Sequence, residues 1–183
     1  TDLQSGSIWE VTTGTAIEGK YKDFKLSPTT YPSDLFPYHN VAPYSNAWLA
    51  MWQRFDANWY TSIAENGYGS IVGDDHFPPL YPLLIYLTTP LFGNSFIAGL
   101  VISQFATLYA LKLMVDLFSQ WGGNVASGKQ TVAYYLLYPT SFFLFSAYTE
   151  SLFLMTTLLA LRSMKNRSWA WAGFWVFCAI TTR

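Results

Sequence analysis

The chain has 183 residues, 51% of them hydrophobic, 19% aromatic and only 11% charged, with a formal net charge of −1. Soluble domains carry about 25% charged residues, so an ordinary water-soluble fold is disfavoured. A disordered chain, a basic nucleic-acid-binding domain and a disulfide scaffold are disfavoured too, the last because Cys178 stands alone. Polarity is concentrated at the front. Residues 1–79 hold nine acids against four bases, a net of −5, and residues 80–183 hold two acids against six bases, a net of +4. This split predicts an all-α polytopic membrane protein with a wet N-terminal part.

Residues 1–46 are rich in Thr, Ser, Gly, Pro and Tyr and show no sustained period. Pro28, Pro32, Pro37 and Pro43 argue against a helix there. This stretch reads as extramembrane loop. Over residues 47–66, Trp48, Trp52, Phe55, Trp59 and Ile63 recur at spacings of three and four, one face of an amphipathic helix that Gly67 stops. So much tryptophan predicts an interfacial helix lying at the membrane surface. Residues 1–79 thus form an extracytoplasmic loop, and 80–183 a transmembrane region.

No formal charge occurs from Leu80 to Leu111. Spans are expected near 96–117, 130–148, 150–163 and 168–183. The last is short of the roughly 20 helical residues that a bilayer core requires. With Thr1 rather than Met at the start, the chain reads as an internal piece of a longer protein. Lys129 and the group Arg162, Lys165 and Arg167 mark two loops as cytoplasmic. Residues 1–79, Glu150 and Arg183 then share the opposite side, the geometry of a site at a membrane–water boundary.

Four groups of residues could carry chemistry. Asp56 lies at the border of the aromatic stripe, where partial desolvation raises a carboxylate's basicity; the plainer reading is a solvated acid beside Arg54. Glu150 interrupts an apolar run, where an ionisable group costs a few kcal/mol unless paired or wetted; it could equally open a helix as a first-turn acid. Asp74, Asp75 and His76 include ligand types for a divalent cation, but adjacent loop acids are usually solvated, so no metal or cofactor is expected. Arg183 could hold a phosphate or reach for lipid headgroups.

The string from Trp52 to Tyr60, with Ile63, Ala64, Gly67 and Tyr68 after it, resembles the W-x-R-W/F-D-[AS]-x-W-Y-x-x-I-A-x-x-G-Y pattern of the PIG-V-like mannosyltransferases, membrane glycosyltransferases of the GT-C class. Phe77-Pro78-Pro79-Leu80-Tyr81-Pro82 is similar to their F-F-P-L-Y-P segment, with Pro79 extra or substituted. Segments Pro139–Phe143, Tyr148–Phe153 and Thr182-Arg183 resemble three further motifs in the same order. The resemblance covers about residues 47–183. It implies inverting transfer of mannose from a polyprenyl- or dolichyl-phosphate donor to a glycan or glycolipid acceptor, such as a GPI-anchor precursor, on the extracytoplasmic or lumenal face. That setting is the plasma membrane of a prokaryote or the endoplasmic reticulum membrane of a eukaryote. It further implies Asp56 as the catalytic acid–base, with Arg54, Trp59, Tyr60, His76, Tyr81, Tyr148, Glu150 and Arg183 around donor and acceptor. The implied partners are a lipid-linked sugar, membrane lipids and the acceptor, with no nucleic acid. A GT-C enzyme for another sugar, a transporter and a non-catalytic membrane scaffold are the alternatives.

Overall fold

The computed structural model describes residue 52, residues 56–69 and residues 73–183. Arg54, named above for the site, lies outside the described residues, as do Trp48 and Phe55. Among the described residues the chain is helical and has no strand. Helix α1 spans Asp56–Asn66, and a single 3-10 turn follows at Asp74–His76. Then come α2 (Leu80–Phe92), α3 (Ser95–Gln120) and α4 (Val125–Leu137), a 3-10 segment over Pro139–Phe145, α5 (Glu150–Lys165) and α6 (Trp169–Thr182).

The helix ends follow local chemistry. Gly93, at φ 69°, closes α2 in the left-handed region that favours glycine, and its N–H reaches Thr89 O. The Asn94 side chain then opens α3 by accepting from Ile97 N at 3.0 Å. Asn124 does the same for α4, accepting from Ser127 N at 2.8 Å. Helix α4 stops at Tyr138, which is extended because it precedes Pro139.

The expected spans near 96–117, 150–163 and 168–183 correspond to α3, α5 and α6 to within a few residues. The span expected over 130–148 is not one helix. Helix α4 ends at Leu137, and the chain continues as 3-10 segment and turn to Glu150. Of the described helices, α3 alone is long and apolar enough to cross a membrane; the 3-10 segment and α5 pass only as a pair, bent by 88° at the break.

Helix α1 also differs from expectation. Trp52 sits in a turn, and the described part of the expected helix is Asp56–Asn66. Its residues Ala57–Thr61, Ile63 and Ala64 are all buried, Asn58 and Thr61 among them. Rather than presenting one wet face along a membrane surface, α1 packs against α2 and α3. Tyr60 and Ala64 join Tyr81, Ile85, Ala98, Ala106 and Leu152 in one core cluster, and Ala57 joins Phe96, Ala147 and Tyr148 in another. Outside these clusters large apolar side chains stand exposed: Leu91, Phe105, Leu108 and Ile180 are 67–79% accessible.

The bundle sorts its charges by end. Helices α3 and α5 run side by side in the same direction. Ser103 Oγ donates to Tyr148 O at 3.0 Å near the start of α5, and Lys165 Nζ donates to Gln120 O at 2.5 Å at the far end. Helix α6 returns along α5 and brings Arg183 back to Glu150. Asp56, Glu150 and Arg183 therefore gather toward the first half of α3, and Arg162, Lys165 and Arg167 lie at its last residues.

Candidate functional site

Three elements bring the candidate residues together. Asp56 is the first residue of α1, Glu150 the first of α5, and Arg183 follows the last turn of α6. An acid in the first turn is favoured by the helix dipole, so both carboxylates suit their positions before any ligand is considered. Tyr60, one turn into α1, lies 3.3 Å from Thr149 Oγ1 across 89 residues of sequence. Tyr148 takes a backbone hydrogen bond at Asp56. These two contacts lock the start of α1 against the turn that leads into Glu150.

Arg183 Nη1 donates to Glu150 Oε1 at 3.1 Å. The guanidinium side chain is 58% exposed and the carboxylate 30%. An exposed pair of this kind contributes only about 0–1 kcal/mol. A guanidinium has five N–H donors, so Arg183 can turn others toward an anion while keeping Glu150.

Asp56 is exposed at the rim, yet the protein beside its carboxyl withdraws enough water to raise its pKa above the ordinary carboxylate value; the Arg183 cation opposes that rise. Burial pushes the Tyr60 hydroxyl up to about 12, against the opposing hydrogen bond from Thr149, so Tyr60 acts as a neutral group. Asp56, Glu150, Arg183, Tyr60 and Tyr148 thus sense one another's charge within one neighbourhood.

Next to the Glu150–Arg183 pair opens a cleft of about 300 Å³, lined by Tyr135 and Tyr138 from the end of α4, Thr140, Ser141, Phe143 and Leu144 from the 3-10 segment, and the ion pair itself. That volume sits at the low end of the roughly 300–1,000 Å³ of small-molecule sites. Its walls combine aromatic faces, hydroxyls, one carboxylate and one guanidinium. No protein-family model, curated protein or solved structure matches this chain. What the site can do therefore rests on its chemistry.

The expected site residues divide into two groups. Asp56, Tyr60, Tyr148, Glu150 and Arg183 come together as described. Trp59 is instead buried and stacked on Phe77, with ring centroids 5.2 Å apart. Tyr81 is wholly buried and donates to Gly99 O at 2.9 Å, tying α2 to α3. His76 stands on the surface, with Nδ1 3.0 Å from Asp75 Oδ1, and does not line the cleft. Asp74, expected as a solvated loop acid, is buried and accepts from Gly69 N at 2.7 Å, so its carboxylate shapes the loop before α2. Among the described residues no three His, Cys, Asp or Glu side chains gather as metal ligands.

Sequence reasoning missed Tyr135, Tyr138, Thr140 and Ser141. The signal was Pro139: a proline after two tyrosine positions, inside a run read as one span, marks where α4 must end and its aromatic tip open onto irregular backbone.

Proposed function

We propose that this chain is part of an integral membrane glycosyltransferase of the GT-C kind, which moves mannose from a polyprenyl- or dolichyl-phosphate carrier to a glycan or glycolipid acceptor on the extracytoplasmic or lumenal face. The observation that carries this reading is that the Glu150–Arg183 pair lines an aromatic, hydroxyl-bearing cleft and that Asp56 lies near enough to feel the Arg183 charge. The motif resemblance supports it, as do the exposed apolar side chains of α2, α3 and α6, which suit a lipid surroundings.

In this reaction the acceptor hydroxyl attacks the anomeric carbon as the bond to the carrier phosphate breaks. The hydroxyl proton goes to the Asp56 carboxylate, whose raised basicity at the rim suits it to that task. Charge left on the departing phosphate falls to Arg183, which has donors to spare beyond Glu150. Glu150 orients Arg183 and the sugar hydroxyls, and Tyr138 offers an aromatic face at the cleft wall.

The test is transfer of radiolabelled mannose from a synthetic polyprenyl-phosphate donor by the full-length protein in membranes. Asp56→Asn keeps the size of the side chain but removes its charge and proton-accepting ability. Transfer should fall roughly 10²–10⁴-fold, and Glu150→Gln should lower turnover with insertion intact. Undiminished transfer by Asp56→Asn would remove the proposed base.

A further inference from the structure

Between Phe96 and Leu111 helix α3 is apolar except for Ser103, Gln104, Thr107 and the amphipathic Tyr109. Ser103, Gln104 and Thr107 sit at i, i+1 and i+4, one side of the helix. Each donates to a main-chain carbonyl of the irregular segment before α5: Ser103 Oγ to Tyr148 O at 3.0 Å, Gln104 Nε2 to Phe145 O at 2.6 Å and Thr107 Oγ1 to Leu144 O at 2.5 Å. Ser103 and Thr107 are wholly buried. At a rise of 1.5 Å per residue, these anchor points lie about 12 to 18 Å along the axis from the first residue of α3. Leu144–Tyr148 therefore run beside the middle of the long helix and not past its end.

Irregular backbone at such depth in an apolar surrounding needs protein donors and acceptors for its polar groups. A helix through 139–149 would satisfy its own carbonyls and need none of these side chains. The irregular segment does something a helix would not: it turns Phe143 and Leu144 into the cleft wall and delivers Glu150 as the first residue of α5. We infer that Ser103, Gln104 and Thr107 are positioning residues, acting through the carbonyls of Tyr148, Phe145 and Leu144 to fix the cleft wall and Glu150 in place. The inference rests on the cleft being the functional site, but not on the identity of the sugar.

The experiment uses the full chain in lipid nanodiscs, with Thr107→Val (same shape, no donor), Gln104→Leu with Thr107→Val, and Thr107→Ser, which keeps the hydroxyl. Backbone amide exchange read by mass spectrometry reports the segment directly. The double variant loses two of the three hydrogen bonds that hold the segment, so it should exchange about tenfold faster or more over residues 144–150, with α2 and α3 unchanged and Thr107→Ser close to the parent. In mannose transfer the same variant should lose about 10²-fold in kcat, as a misplacement of about 1 Å does, with KM nearly kept and Thr107→Ser rescuing. Unchanged exchange over 144–150, exchange raised throughout the bundle, or faster exchange there with full kcat would each overturn the inference. A parent chain that transfers no mannose, with the exchange pattern as stated, sinks the sugar assignment and upholds the positioning role.

Discussion

Asp56 shows how a single carboxylate can be tuned from two sides. Partial burial raises its pKa, Arg183 lowers it, and the acids and phenols of Glu150, Tyr60 and Tyr148 share its surroundings. With the native value above the ordinary one, the folded protein holds the proton that the unfolded chain would release. Across that window stability falls as pH rises, and activity that needs the carboxylate appears only above the raised pKa. Removing the opposing cation should raise the pKa further. Arg183→Gln is therefore expected to move the acidic limb of the transfer rate to higher pH, besides weakening transfer, as a pH–rate profile would reveal. A limb that stays put, or moves down, separates Arg183 from Asp56. A second prediction concerns Asp74, whose buried carboxylate accepts from Gly69 N. Asp74→Asn leaves an oxygen to accept that bond but removes the charge, and should cost roughly 1–3 kcal/mol, seen as a lowered melting temperature, with little change in kcat.

At the level of elements, much was legible and some was not, for separable reasons. Gly93-Asn94 and the charge-free runs announce α2 and α3, because caps and apolar length are written locally. The gathering of Asp56, Glu150 and Arg183 at one end could be reached from loop charges alone. The break after Leu137 was marked by Pro139 but passed over, because an apolar run reads alike whether it folds as helix or as 3-10 segment. The donors that hold the segment lie about forty residues upstream on α3, as the separations of 45, 41 and 37 show. Trp59 and Tyr81 were given site roles from residue type, but an aromatic ring serves a core as readily, and tertiary packing placed both there. Gly99 carries a further test. A Cβ there would meet Ala147 Cβ, Ile85 Cδ1 and the Tyr81 hydroxyl, each at 3.3 Å. Gly99→Leu should overpack this crossing and cost about 1–3 kcal/mol, measured by thermal unfolding in detergent, and Gly99→Ala should cost less. A stability gain from Gly99→Leu would mean that the crossing is looser than these distances say.

On the scale of the whole molecule, the bundle has a basic end and an end that holds the candidate site. Lys129, Arg162, Lys165 and Arg167 are expected on the cytoplasmic side, with Asp56, Glu150 and Arg183 opposite. Cysteines at Ser127 and Ser168 should resist an impermeant thiol reagent in intact cells, and one at the exposed Asn66 should react; the reverse pattern would invert the molecule. The short helices have a consequence for the surrounding lipid. Helices α4 and α5 have 13 and 16 residues, roughly 20 to 24 Å of rise against a hydrocarbon core of roughly 30 Å. In the proposed membrane setting, a bilayer flanking that side of the bundle would compress or let its headgroups sink to meet them. The collar of thinned lipid would lie beside the cleft and lower a carrier's phosphate toward Arg183, so turnover should rise in membranes of shorter acyl chains.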